Sequence, residues 1–194
     1  KKDNKFIILI VGGSLGASFF SEKITSILCS LPIELKKRLI IFHQVKKEEI
    51  VNVKKLYIKN NINSEVRYFF EDIYNYFKKA HLIISRSGGS SVGEIIASNR
   101  PTIFIPLPTA LDNHQEENAK FIINNKGGWL LDQNKTSFQF FKNFLKDLML
   151  NPNKLKEASV EIKKISSHNF KLCKNKTSTD FIINTIIEIL PLNI

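Results

Sequence analysis

The sequence predicts an α/β fold, a single domain built on a doubly wound parallel sheet. Three observations carry this expectation. Short apolar runs alternate with longer amphipathic stretches, the pattern of strands joined by crossover helices. The runs at 6–11, 81–85 and 102–105 are apolar at successive positions, as strands covered on both faces must be. Glycine- and serine-rich turns follow two of these runs directly, in VGGSLGAS (11–18) and SRSGGSSVGE (85–94).

Taken in order, strands are expected at 6–11 (FIILIV), 39–43 (LIIFH), 66–70 (VRYFF), 81–85 (HLIIS), 102–105 (TIFI) and 128–131 (GWLL). Each is a short apolar run bounded by polar or turn-forming residues. Helices are expected at 15–30, 47–60, 72–80, 91–99, 114–125, 136–150, 152–167 and 177–190. The last, within TDFIINTIIEILPL, is unusually apolar and needs cover from another element.

With 194 residues the chain is long enough for one generous domain. Its 43% hydrophobic and 24% charged residues are ordinary for a globular protein, whereas the net charge of +11 is not. Such a charge suits nucleic acid, an anionic membrane surface or a phosphate-rich ligand. The lysines fall in scattered pairs (Lys46-Lys47, Lys54-Lys55, Lys78-Lys79, Lys163-Lys164), with no basic helix or aromatic-interleaved stripe, which argues against nucleic acid. Cys29 and Cys173 are far apart and the four histidines lack metal-ligand spacing, so neither a disulfide framework nor a zinc site is expected, and a reducing cytoplasm fits best. No apolar run approaches the roughly 18 residues of a membrane span. The opening KKDNKFIILIVGGSLGAS imitates a signal peptide, but its apolar core breaks at Gly12-Gly13, so it reads as a strand and glycine turn. Because the chain does not begin with Met, it is expected to be a piece of something longer.

Ligands of doubly wound sheets sit beyond the carboxyl ends of the strands. Three loops fall there. VGGSLGAS leads a strand into a helix and offers amides and a helix dipole to an anion. It lacks the second glycine of the dinucleotide fingerprint, where Ser14 stands, and the GK[ST] of a P-loop. In SRSGGSSVGE, Ser90 or Ser91 can cap the next helix, and Ser91-x-x-Glu94 fits a capping box; alternatively Glu94 accepts hydrogen bonds from a ribose diol while the loop amides hold a diphosphate. Arg86 suits a phosphate or an internal carboxylate. In PLPTALDNHQEENA (106–119), Asn113 can cap a helix, and amide and imidazole groups suit sugar hydroxyls.

In this order, GGSLGA, HQ, FFEDI, RSGGSSVGE and P…DNHQ…NA, the chain resembles the C-terminal half of the MurG family, strongly from Phe6 to about Ala119 and weakly beyond. That family transfers N-acetylglucosamine from UDP-GlcNAc to lipid I, forming lipid II for peptidoglycan. The resemblance implies a Rossmann-like C-terminal domain of a GT-B glycosyltransferase, with residues 1–194 as the donor-binding domain and the N-terminal acceptor domain absent. It implies an inverting hexosyltransferase without cofactor or metal, peripheral on the cytoplasmic face of the inner membrane. The implied partners are UDP-GlcNAc, lipid I through the missing domain, and an anionic membrane surface, with no nucleic acid.

Carried over by position, Ser14 lies beside the donor phosphates and Phe70, after Phe69, lies against uracil. Gly89, Ser90, Ser91, Val92, Gly93 and Glu94 contact diphosphate and ribose, with Arg86 nearby. Gln115 contacts the sugar and His114 adjoins it. The catalytic base is not among these residues. One departure is Val45-Lys46-Lys47 after HQ, where the family has a glycine shortly afterwards. Two other readings of the same residues are a separately encoded donor subunit of the eukaryotic split N-acetylglucosaminyltransferase type and a nonenzymatic nucleotide-sugar binding module.

Overall fold

The computed structural model describes residues 5–12, 18–108 and 114–172, the side chains of the last five excepted. Six strands form one sheet: β1 (Phe6–Val11), β2 (Leu39–Gln44), β3 (Asn63–Arg67), β4 (Leu82–Ser85), β5 (Thr102–Phe104) and β6 (Gly128–Leu130). Their order is β3-β2-β1-β4-β5-β6 and every pairing is parallel. The chain starts at the centre, winds out to β3, then crosses back past β1 to β4. The winding reverses between β1 and β4, where Val11 pairs with Ser85. The two glycine-bearing turns therefore leave neighbouring strands at the same edge.

Strand alternation builds two cores. Ile8 and Ile10 of β1, Leu82 and Ile84 of β4, and Ile103 of β5 face one layer. Leu9, Ile83 and Phe104, the residues between them, face the other. The first layer is covered by α1 (Thr25–Cys29), α3 (Ile50–Lys59) and α7 (Phe138–Leu150), the second by α4 (Ile73–Lys79), α5 (Gly89–Ser98), α6 (His114–Asn124) and part of α8 (Pro152–Leu172). A short α2 (Ile33–Lys36) precedes β2.

Several elements differ from expectation. The third strand is Asn63–Arg67, three residues before 66–70; it is an edge strand in which only Val66 is buried, so the apolar YFF that follows is a turn into α4. The described part of the first helix contains a π turn, Phe20–Ile24, before α1. After HQ, a 3₁₀ turn at Lys47–Glu49 leads into α3, with the Lys46 N–H donating to Glu49 Oε2 at 3.3 Å. This turn occupies the place where the family's glycine is missing. Asp72 caps α4 and Ser137 caps α7 through their side chains, and Asn99 ends α5 in the left-handed region at φ 56°. The expected helix at 177–190 lies outside the described residues.

Candidate active site at the carboxyl edge of the sheet

The segment after β4 is buried and tightly laced. Ser85 Oγ donates to the Arg86 carbonyl at 2.8 Å, and the Arg86 N–H reaches the Val11 carbonyl at the end of β1. Arg86 Nη1 donates to the carbonyls of Ile105 and Pro106, both at 2.8 Å, and its guanidinium lies over the rings of Phe19 and Phe20. Burial lowers its pKa only to about 10, so it stays cationic at neutral pH. Arg86 thus clamps the β4 and β5 turns together, a task that neither sequence reading had named.

The start of α5 overturns the capping expectation. Its N-cap is Gly88, with no side-chain cap, and the first helical bond runs from the Val92 N–H to the Gly88 carbonyl at 3.0 Å. The helix begins two residues earlier than expected, so Ser91 is its third residue and Glu94 its sixth. Neither Ser90 nor Ser91 caps it, and Ser91-x-x-Glu94 forms no capping box. The amides of Gly89, Ser90 and Ser91 precede the first helical bond, the position from which helices bind anions.

The glycines here answer no demand of the fold. A Cβ added at Gly88, Gly89 or Gly93 would meet nothing within 4 Å, and none of the three has a left-handed backbone. Alanine would favour the helix at the latter two. Glycine instead leaves the backbone open to close approach from outside. Gly89 and Gly93 lie one turn apart, as do Ser90 and Glu94, and all four are exposed; Ser91 and Val92 are half-buried.

The third loop closes on the same edge. Gln115, in the first turn of α6, accepts the Leu107 N–H through Oε1 at 3.0 Å, which leaves its Nε2 as a donor. His114 beside it is exposed. One turn further on, Asn118 Nδ2 donates to the Ser87 carbonyl at 3.0 Å. Arg86, Gln115 and Asn118 therefore join the β4 turn, the β5 turn and α6 into one closed hydrogen-bonded ring. Asn118 was missed in the sequence, although its spacing of three from Gln115 places both on one helix face.

Phe70 is where the structure most changes a site expectation. Its ring is 2% exposed, sits in the second core and packs on Tyr76 at 4.4 Å between centroids. The exposed ring here belongs to Phe69, at 54%. Ser14 and Asn113 lie outside the described residues.

Beneath the edge, His43 at the end of β2 is fully buried, its Nδ1 2.9 Å from the Tyr57 hydroxyl, which in turn lies 3.4 Å from Thr25 Oγ1. Burial lowers the imidazole to about 3 and raises the Tyr57 phenol, so both are neutral at ordinary pH.

This edge belongs to a known family of folds. Residues 7–174 match the model of the glycosyltransferase family 28 C-terminal domain. The chain belongs to glycosyltransferase family 28. Among its relatives is a Wolbachia pipientis (Culex pipiens, strain wPip) protein named UDP-N-acetylglucosamine--N-acetylmuramyl-(pentapeptide) pyrophosphoryl-undecaprenol N-acetylglucosamine transferase, 38% identical over 162 residues, covering 84% of this chain and 48% of the relative. A Rickettsia felis protein of the same name is 41% identical over 167 residues, covering 84% and 46%. The chain spans about half the length of the curated relatives it matches. Among solved structures, Acinetobacter baumannii MurG superposes with a TM-score of 0.76 at 30% identity, over 91% of this chain and 54% of that one. The glycosyltransferase WaaG, at 14% identity and a TM-score of 0.66, shares the fold. The family 28 sheet seen here is the Rossmann-like C-terminal domain of the GT-B architecture.

Proposed function

We propose that this chain is the donor-binding half of a MurG-type transferase, which moves N-acetylglucosamine from UDP-GlcNAc to lipid I and so forms lipid II. One observation carries the reading: the α5 N-terminus has no side-chain cap, stands at the winding reversal of the sheet, and has Glu94 on its exposed face. A diphosphate takes the amides of Gly89, Ser90 and Ser91, and the Glu94 carboxylate accepts the ribose hydroxyls. A side-chain cap of the ordinary kind would occupy those amides and block the first contact. Uracil lies against the Phe70 main chain, and Gln115 Nε2, with His114 beside it, donates to a sugar hydroxyl.

In the proposed reaction an acceptor hydroxyl of lipid I attacks the anomeric carbon from the face opposite UDP. The new C–O bond forms as the bond to the diphosphate oxygen breaks, and configuration inverts. Negative charge grows on the diphosphate, where helix amides stabilise it without reorganisation. The proton of the acceptor hydroxyl goes to a base that we place in the acceptor half. Lipid I is a membrane lipid, so we place the working enzyme at the cytoplasmic membrane face, where the +11 charge favours anionic lipid. No helix among the described residues is long and apolar enough to cross a membrane.

The test is Glu94→Ala. Glu94 is exposed and caps nothing, so its removal leaves the melting temperature unchanged. UDP and UDP-GlcNAc affinity falls alike, by about 1.5–3 kcal/mol, the range for hydrogen bonds to a charged group. Calorimetric titration beside a melting curve reads both; intact affinity would refute the ribose role.

Gln115→Glu separates two tasks of one side chain. Glutamate still accepts the Leu107 N–H but has no donor left. UDP-GlcNAc binding weakens by about 0.5–1.5 kcal/mol relative to UDP, one neutral hydrogen bond. Equal weakening of the two ligands in a competition assay would show that Gln115 does not touch the sugar.

A further inference from the structure

We propose that the Ser87 hydroxyl is a hydrogen-bond donor held in reserve for the phosphate that binds at the start of α5, a contact outside the set carried over from the family. The inference rests on the donor-site reading above. Near Ser87, Ser85 Oγ has the Arg86 carbonyl, Arg86 Nη1 has two carbonyls, and the Ser87 carbonyl has Asn118. Ser87 is 0% exposed and its hydroxyl has no hydrogen-bond partner among the described residues.

A buried hydroxyl without a partner is destabilising, and alanine would remove that penalty with the loss of a single oxygen. Ser87 immediately precedes the Gly88 N-cap of the helix whose first amides are those of Gly89, Ser90 and Ser91. An acceptor drawn to those amides takes the Ser87 hydroxyl as a further donor. Two neighbouring glycines with open space around them allow the turn to adjust as it does so. The free state then holds an unpaired donor that the ligand satisfies, and the relief of that penalty adds to affinity. A phosphate oxygen is the acceptor that fits, since it is anionic, presents several lone pairs and already faces the helix.

The competing account is an ordered water on Ser87 Oγ, which would make the hydroxyl structural. The two differ in the sign of a stability change. Under the proposal, Ser87→Ala melts at or above the wild-type temperature without ligand, yet binds UDP about ten- to a hundredfold more weakly. Binding of uridine, which has no phosphate, stays unchanged. Calorimetry with UDP and uridine, on the full 194-residue chain with melting curves alongside, reads all three. A lower melting temperature for the free variant overturns the proposal whatever happens to affinity. So does UDP affinity equal to wild type, and so does an equal loss for uridine. Wild-type chain that binds no UDP overturns the donor-site reading and this proposal together, whereas UDP binding that S87A retains overturns the role of Ser87 alone.

Discussion

Acidification from pH 7 toward 4 is expected to destabilise this domain by about 3 kcal/mol through His43 alone, near 1.4 kcal/mol for each unit below 6.5. The cause is burial. His43 is enclosed between β1, β3 and α3, and its native pKa is depressed from 6.5 to about 3. In the unfolded chain the imidazole takes up a proton below about 6.5, whereas in the native state it stays neutral until about 3. Between those values the unfolded state binds more protons, so stability falls as pH falls. Tyr57 and Thr25, the polar groups that face it, do not ionise in this range and supply no compensating charge. Against a typical total of about 5–15 kcal/mol, such a loss is large. His43→Gln retains a group able to bond the Tyr57 hydroxyl but does not titrate. Urea denaturation at intervals between pH 7 and 4 should show a steep slope in the wild type and a shallower one in H43Q. Parallel slopes would mean that His43 is not the group responsible.

The legibility of this fold followed burial. β1, β4 and β5 lie at or near the centre of the sheet and are covered on both faces, so their runs are apolar throughout and were placed to within a residue. β3 is an edge strand reading Asn-Ser-Glu-Val-Arg, with one buried residue, and the stronger apolar signal after it drew the expected strand three residues too far. The same overrun hid the inversion at the FF pair. Two adjacent phenylalanines carry no mark of which ring turns inward, and the turn puts Phe70 in the core and Phe69 outside. At α5 the pattern Ser-x-x-Glu is a sound local signal for a helix start, but the backbone begins the helix at glycine instead, because Val92 bonds back to Gly88. The clamps were not local at all. Arg86 meets Ile105 because β4 pairs with β5, and Ser87 meets Asn118 across 31 positions once α6 packs beside that edge.

A 194-residue polypeptide of this sequence, assayed by itself, is expected to bind UDP-GlcNAc without added divalent metal and yet to transfer no measurable sugar to lipid I. Binding follows from groups that the sheet gathers at one edge: the uncapped helix amides of Gly89, Ser90 and Ser91, the Glu94 carboxylate, and the Gln115 amide. Charge on the diphosphate is met by those amides and the helix dipole. Among the described residues no three His, Cys, Asp or Glu side chains gather where they could hold a metal ion. EDTA should therefore leave the dissociation constant unchanged. Transfer is a different matter. The match covers about half of each relative's length, and the proposed acceptor site and base lie in the half outside the match. Holding a nucleophile against a bound electrophile is worth effective concentrations of about 10⁵–10⁸ M, and one half of the cleft cannot supply that. Adding the N-terminal half of a family member, or joining it to this chain, should restore lipid II formation. Radiolabelled UDP-GlcNAc and lipid I, with and without that half, make the comparison. Robust transfer by this chain alone would place the base among its own residues; failure to bind donor, with or without metal, would remove the donor-site reading itself.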